Sequence, residues 1–114
     1  MPIKKIEAII RPERLEPLRS QLETVGYSGM MVTEIEGHGK QRGIEQTWRG
    51  NSYKTYFIPK VKLEIVVNAK DLRKILDAII AVCNTGRPGD GKIFISDIKE
   101  VIRIRTQEKG IKAI

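Results

Sequence analysis

Seven consecutive residues, Gly86-Arg87-Pro88-Gly89-Asp90-Gly91-Lys92, carry the densest chemical signal in the sequence. Successive glycines leave backbone N–H groups open to an anion, and Lys92 adds a cation beside them. The run satisfies G-x-x-x-x-G-K, but Ile93 stands where a phosphate loop needs the Ser or Thr that holds Mg²⁺. It also leads from an expected helix into an expected strand, the reverse of a Walker loop. That argues against a Walker-type NTPase and leaves two readings, an anion nest or an ordinary glycine-rich turn. Arg103-Ile104-Arg105 favours the first. In an extended strand, residues two apart face the same side, so both guanidiniums would project together toward bidentate phosphate oxygens. A solvated strand face is the competing reading.

Other chemistry is thin. Cys83 is the single cysteine, so no intrachain disulfide or cysteine-based metal site can be built, and no Ser/His/Asp or Cys/His arrangement around His38, the single histidine, is suggested by spacing. Cys83 falls on an apolar helical face, where a buried inert thiol is expected. Glu7 and Glu64, and Glu34 and Asp97, are carboxylates on expected strands, better read as ion-paired than as acid–base groups. No catalytic residue is assigned.

Charge locates the partner chemistry. The net charge is +7, and residues 37–60 hold Lys40, Arg42, Arg49, Lys54 and Lys60 against Glu45 alone. The second basic concentration is the tail from Lys92 onward. Concentrated positive charge calls for an anionic partner. RNA is disfavoured because Val61–Val67 lacks the strand aromatics on which bases stack. The longest apolar run, Ala78–Cys83, is far short of the roughly 20 residues that span a bilayer. The first twenty residues are laced with charge, unlike a secretory leader, so the expected compartment is the cytoplasm.

The elements that must position these groups come from an internal repeat. Lys5-Ile6-Glu7-Ala8-Ile9-Ile10 aligns with Lys62-Leu63-Glu64-Ile65-Val66-Val67, and Leu15, Leu18, Leu22 and Val25 align with Leu72, Ile75, Ile79 and Val82. Val32-Thr33-Glu34-Ile35 matches Ile95-Ser96-Asp97-Ile98, with Gly86–Gly91 as the insert that lengthens the second copy. Each copy reads strand, helix, strand. The first helix should begin near Arg14, which keeps Pro17 in its first turn, and stop at Gly26. The second should run from about Lys70 to Thr85, with Leu72, Ile75, Leu76, Ile79, Ile80 and Cys83 inward. Two βαβ units in 114 residues imply one α+β domain, a ferredoxin-like sandwich of four strands with both helices on one face. Repeat one spans about 3–36, repeat two about 60–100, and a C-terminal segment 101–114. The uncovered sheet face requires a partner, and self-association is the simplest one. Between the repeats, about 37–58, lies a polar stretch that fits no element and carries Trp48 and Tyr53. A loop of that length is expected to be functional.

These motifs in this order resemble the PII nitrogen-regulatory signalling family across essentially the whole chain. The matching runs are Lys5–Pro12, Gly37-x-Gly39-x-Gln41-x-Gly43, Arg49-Gly50-x-x-Tyr53, Lys60–Val67, Thr85-Gly86-x-x-Gly89-Asp90-Gly91-Lys92-Ile93-Phe94 and Val101–Thr106. The resemblance implies a homotrimer with its sheets facing one another and ATP or ADP in the clefts between subunits. Gly37, Gly39, Val66, Gly86, Arg87, Gly89, Asp90, Gly91 and Lys92 would come from one subunit, and Arg103 and Arg105 from the next. It further implies that 2-oxoglutarate binds with Mg-ATP, Gln41 supplying a side-chain oxygen to the metal and Lys60 pairing with the distal carboxylate. The long loop would then report the bound state to an ammonium channel, to N-acetylglutamate kinase or to other nitrogen-control proteins. Trp48 and Arg49 would be contacts, any membrane association would run through a channel partner, and Tyr53 matches a tyrosine that some branches nucleotidylylate. The implied protein is a sensor and not an enzyme; the rival reading is a small trimeric enzyme or slow ATPase using the same cleft. Departures from the family pattern fall at His38, at the loop tip Ile44–Trp48, at Asn51 and at Gln107 and Lys109.

Overall fold

The computed structural model describes residues 2–27, 29–37, 44–48, 51–55 and 58–114. Of 44–48 and 51–55 only the backbone is described.

Strand β1 (Ile3–Ile10) alternates buried and half-buried residues, as a strand with one covered face must. A 3₁₀ turn at Pro12–Arg14 leads into helix α1 (Leu15–Thr24), and Pro17 falls in its first turn, where its missing N–H has no partner to lose. Strand β2 (Met31–Gly37) completes the first unit. The second repeats the plan: strand β5 (Ile58–Asn68), a 3₁₀ turn at Ala69–Asp71, helix α2 (Leu72–Cys83) and strand β6 (Lys92–Ile98). The Asn68 side chain accepts the Lys70 N–H at 3.1 Å and so starts the second helical segment.

The four strands form one antiparallel sheet in the order β2-β5-β1-β6. That is the strand order of a ferredoxin-like fold, with the two repeats interleaved. Register decides which face is buried. Ile6, Ala8 and Ile10 of β1 and Val61, Leu63, Ile65 and Val67 of β5 pack under Leu18 and Leu22 of α1 and Ile75 and Ile79 of α2. The opposite face carries an ion-pair belt: Lys5 reaches Glu64 at 2.8 Å and Glu7 at 3.3 Å, and Lys62 reaches Glu64 at 3.3 Å. The Lys5 and Glu64 hydrogen bond holds the Glu64 carboxyl below its ordinary range. On the other side of the sheet, Asp97 of β6 pairs with Lys4 of β1.

Three expectations need correction. The stretch between the repeats is not without regular structure: strands β3 (Ile44–Trp48) and β4 (Asn51–Thr55) pair antiparallel as a hairpin. Ile44, Thr47, Ser52 and Thr55 give it modest strand propensity, but no apolar alternation marked it. Ile80 does not point inward and is 44% exposed, while Ala78 takes a buried place on the helix. The apolar stripe of α2 is simply wider than the surface one protomer offers it. Finally, Arg103-Ile104-Arg105 is not an extended strand. The Gln107 N–H donates to the Arg103 carbonyl at 2.7 Å and the Arg103 N–H to the Glu108 carbonyl at 2.9 Å, closing a turn that Ile102 and Lys109 bridge. Local hydrogen bonds to Thr106 and Glu108 compete successfully with extension there. Gln107 takes φ 60° to allow it.

Cys83 is buried as expected, and burial pushes its thiol up to about 11, which keeps it protonated and unreactive.

Candidate functional site

The insert that distinguishes the second repeat connects α2 to β6, and side chains anchor it from within. Asp90 folds back under the loop. Its carboxylate accepts the Thr85 N–H at 2.7 Å, the Gly86 N–H at 3.0 Å, the Thr85 hydroxyl, and the Arg11 Nε–H at 3.2 Å. Four donors fill the acceptor capacity of a carboxylate. The Thr85 hydroxyl first, with the Thr85 N–H, Arg11 and the Gly86 N–H behind it, holds the Asp90 carboxyl far below the ordinary carboxylate range, against the opposing effect of burial. The Asp90 side chain is therefore a tie within the loop, with no lone pair left over for a ligand or metal.

The tie decides which amides remain. The Gly86 N–H is also taken by the Asn84 side chain at 2.9 Å, and the Arg87 N–H by the Thr85 hydroxyl at 3.3 Å. The amides of Gly89 and Asp90 donate to no described residue. Gly89 and Gly91 adopt φ 98° and 104°, conformations that turn the chain sharply through this end of the loop.

Lys60 closes the other side. It is buried on β5, and its ammonium donates to the Gly89 carbonyl at 2.5 Å. Burial first, then the Arg11 guanidinium, draws the Lys60 pKa below its ordinary value, with Glu13 and Asp90 compensating in part. Lys60 pairs in register with Ile35, and Gly37 with Ile58, so the root of the long loop lies two residues from the lysine that grips the glycine-rich loop. Lys92 opens β6 opposite Ile9, its side chain exposed and without an ion pair to the described residues. A cleft of about 280 Å³ runs alongside, lined by Ile9, Ile79, Ile80, Cys83 and Ile93 with Asp90, Gly91 and Lys92 at one end.

Of the residues singled out from sequence, the structure thus brings together Gly86, Arg87, Gly89, Asp90, Gly91, Lys92 and Lys60, with Gly37 at the adjacent strand end. It does not bring Val66 to them within one protomer. Val66 pairs with Lys5, four residues along β1 from the Ile9–Lys92 pair, or about 13 Å at strand rise. Arg103 is engaged within the C-terminal segment rather than with the loop, and Arg105 is exposed. Gly39, Gln41 and Arg49 lie outside the described residues. Trp48 ends β3, paired with Asn51, and Tyr53 pairs with Gln46; their side chains lie outside the described set.

Arg11 was missed. Besides Asp90, it donates from Nη2 to the Pro88 carbonyl at 2.8 Å, bracing the loop from the end of β1. Nothing local in Arg11-Pro12 announces this, since it follows from the β1–β6 register. Replacement Arg11→Ala is expected to raise amide hydrogen exchange across 85–91 roughly tenfold, the order set by a charge-assisted hydrogen bond, while β5 exchanges as before. Exchange mass spectrometry reads this directly; unchanged protection of 85–91 would show the brace to be idle.

The fold finds its match among known proteins. The family model described as Nitrogen regulatory protein P-II aligns with residues 3–108. This chain belongs to the P-II family. It is similar to Nitrogen regulatory protein P-II 2 of Methanothermobacter thermautotrophicus, with 50% identity over 112 residues, covering 98% of this chain and 97% of the relative. It is 49% identical to Nitrogen regulatory protein P-II of Bradyrhizobium diazoefficiens, covering 98% of this chain and all of that one. Among solved structures, Arabidopsis thaliana PII bound to citrate superimposes with a TM-score of 0.81 at 36% identity, over 99% of this chain and 92% of that one. The P-II relationship supports a role in nitrogen regulation, and the described helices are none of them long and apolar enough to cross a membrane.

Proposed function

We propose that this P-II protein is a cytoplasmic sensor without turnover. It binds ATP or ADP and, with Mg-ATP, 2-oxoglutarate, and passes the result to partners through the segment between its repeats. The observation that carries this reading is the loop 85–91: an internal carboxylate tie holds it in shape, leaves the Gly89 and Asp90 amides uncommitted, and Lys60 and Lys92 flank it. Amides fixed by a scaffold and flanked by ammonium groups suit phosphate oxygens without reorganisation.

Gln41, the protein ligand that the reading gives the metal, lies outside the described residues. Asp90 is saturated, and no cluster of three His, Cys, Asp or Glu side chains that could hold a metal occurs among the described residues. A Mg²⁺ ion would therefore be held chiefly by phosphate and keto-acid oxygens, with Gln41 as a neutral protein ligand. Bound there, it would neutralise charge between the two anions, which suits the linked binding of nucleotide and keto acid. Lys60, between the glycine-rich loop and the root of the long segment, would meet the distal carboxylate.

The homotrimer rests on the uncovered sheet face. Met31 and Phe94 are exposed beside the Lys5–Glu64 belt, and Ile102 and Ile104 of the C-terminal segment are exposed as well. Burial against other copies would remove this apolar surface from water. An ammonium channel or N-acetylglutamate kinase is the proposed class of partner, with Trp48 and Arg49 as contacts and Tyr53 as the candidate modified residue.

Isothermal titration tests the reading. Wild-type protein should bind Mg-ATP, and its 2-oxoglutarate affinity should rise at least tenfold when Mg-ATP is present. Steady multiple-turnover phosphate release under the same conditions would instead support a slow ATPase. Absence of any adenine-nucleotide binding would remove the proposal altogether.

A further inference from the structure

Arg103 sits in a turn closed from both sides. Its N–H donates to the Glu108 carbonyl at 2.9 Å, and the Gly110 N–H to the Val101 carbonyl at 3.0 Å, so Glu108 is held opposite it by backbone. The guanidinium is already occupied. Nη1 donates to Glu108 Oε1 at 3.1 Å, and Nη2 donates to the carbonyls of Lys112 at 3.2 Å and Ile114 at 3.5 Å. The Thr106 hydroxyl donates to the same Glu108 oxygen at 2.8 Å and fixes its position.

A guanidinium has five N–H donors in a planar fork. Three are drawn inward here, which leaves Nε–H and one Nη1–H for anything arriving from solvent. The Arg103 and Glu108 side chains are each 40% exposed, so an anion can reach the pair. It would meet a carboxylate beside the donors it needs, and like charge at that distance opposes binding. Displacing Glu108 would return the second Nη1–H and the full charge of the guanidinium to an arriving oxyanion.

We propose that Glu108 is an internal rival for the phosphate groups at Arg103, setting the nucleotide affinity of the site below what the arginine alone would give. The inference rests on the nucleotide reading above, together with the contact between Arg103 and the phosphates of a neighbouring subunit's nucleotide that the family resemblance implies. Glu108 neutralises Arg103 while no ligand is bound, and a polyphosphate, carrying more charge than one carboxylate, displaces it. Weakly charged anions do not. The site thereby rejects monoanions that a bare arginine would collect.

Substitution Glu108→Gln keeps size and an acceptor oxygen but removes the charge, at a partly exposed turn position where folding is not at risk. Titration calorimetry with Mg-ATP is expected to show affinity raised three- to tenfold. Glu100→Gln, the same charge change at a neighbouring exposed carboxylate, should raise it less than twofold. In an Arg103→Gln background the Glu108→Gln gain should vanish, which ties the effect to this pair. Unchanged or weaker binding in Glu108→Gln would overturn the proposal and make Glu108 a support for Arg103 instead. An equal gain in Glu100→Gln would overturn it as a general field effect. Failure of wild type and every variant to bind ATP would remove the nucleotide reading and this inference together; binding by wild type with no gain in Glu108→Gln removes the inference alone.

Discussion

Gly91→Ala is expected to unseat the start of β6 and destroy the anion loop. A Cβ built on Gly91 would lie 1.6 Å from the carbonyl oxygen of Ile9 and 2.8 Å from its carbonyl carbon. Both are backbone atoms of β1, so no side-chain rotation relieves the clash. The backbone at φ 104° lies outside the region L-residues tolerate, which adds strain to overlap. Either β6 separates from β1 at the Ile9–Lys92 pair or the loop is rebuilt, and both outcomes move Lys92 and the Gly89 amide. The expected cost is about 3 kcal/mol or more, the range of severe backbone and packing changes, measured as a shift in the urea midpoint. Gly86→Ala supplies the contrast. It also has positive φ, 77°, but a Cβ there meets nothing within 4 Å, so it should cost only the local backbone term of about 1–2 kcal/mol. Equal losses in the two variants would show that close approach to Ile9 is not what fixes this glycine.

The contrast also marks how far the sequence could be read. The repeat was legible because it rests on apolar periodicity. Leu18, Leu22, Ile75 and Ile79 recur at helical spacing, Ile6, Ala8 and Ile10 alternate, and these are the residues of the core. The strand order followed from the tandem βαβ units. The glycine-rich loop was legible as composition, but the division of labour inside it was not. Asp90 read as one more ligand-facing residue, whereas its four donors come from Thr85, Gly86 and Arg11, and Arg11 lies 79 residues away in sequence. Such a contact is a property of register, which short motifs do not carry. Gly86 and Gly91 look alike in the sequence and differ in what stands opposite them. The C-terminal turn failed for a different reason. Arg103-Ile104-Arg105 has the alternation of a strand, but a strand also needs a partner edge. Within one protomer Arg103 finds the Glu108 and Gln107 backbone instead. The β3–β4 pairing was not legible because no apolar alternation marks residues 44–48 or 51–55 in the sequence.

Lys60→Ala is expected to abolish the 2-oxoglutarate response and, in addition, to weaken ATP binding. The sequence reading made Lys60 a carboxylate partner alone, so that its loss would spare the nucleotide. The geometry changes that expectation. Lys60 is 8% exposed and its ammonium donates to the Gly89 carbonyl, so the side chain also sets the position of the neighbouring Gly89 and Asp90 amides. Truncation leaves that carbonyl without the lysine and opens a void where the aliphatic stem lay, and both effects loosen the loop. Mg-ATP affinity should fall about tenfold, the order of one charge-assisted hydrogen bond, while the gain in 2-oxoglutarate affinity with Mg-ATP disappears. Lys60→Arg separates the two roles. A guanidinium keeps a charge for the carboxylate, but its planar fork does not superimpose on an ammonium seated against the Gly89 carbonyl. It should retain part of the keto-acid response and still lose nucleotide affinity. Calorimetry on both variants gives the answer: undiminished synergy in Lys60→Ala would exclude Lys60 from the keto-acid site, and wild-type ATP affinity would show that the Gly89 contact does not shape the loop. The buried lysine is the physical link between the two anions only if both losses appear.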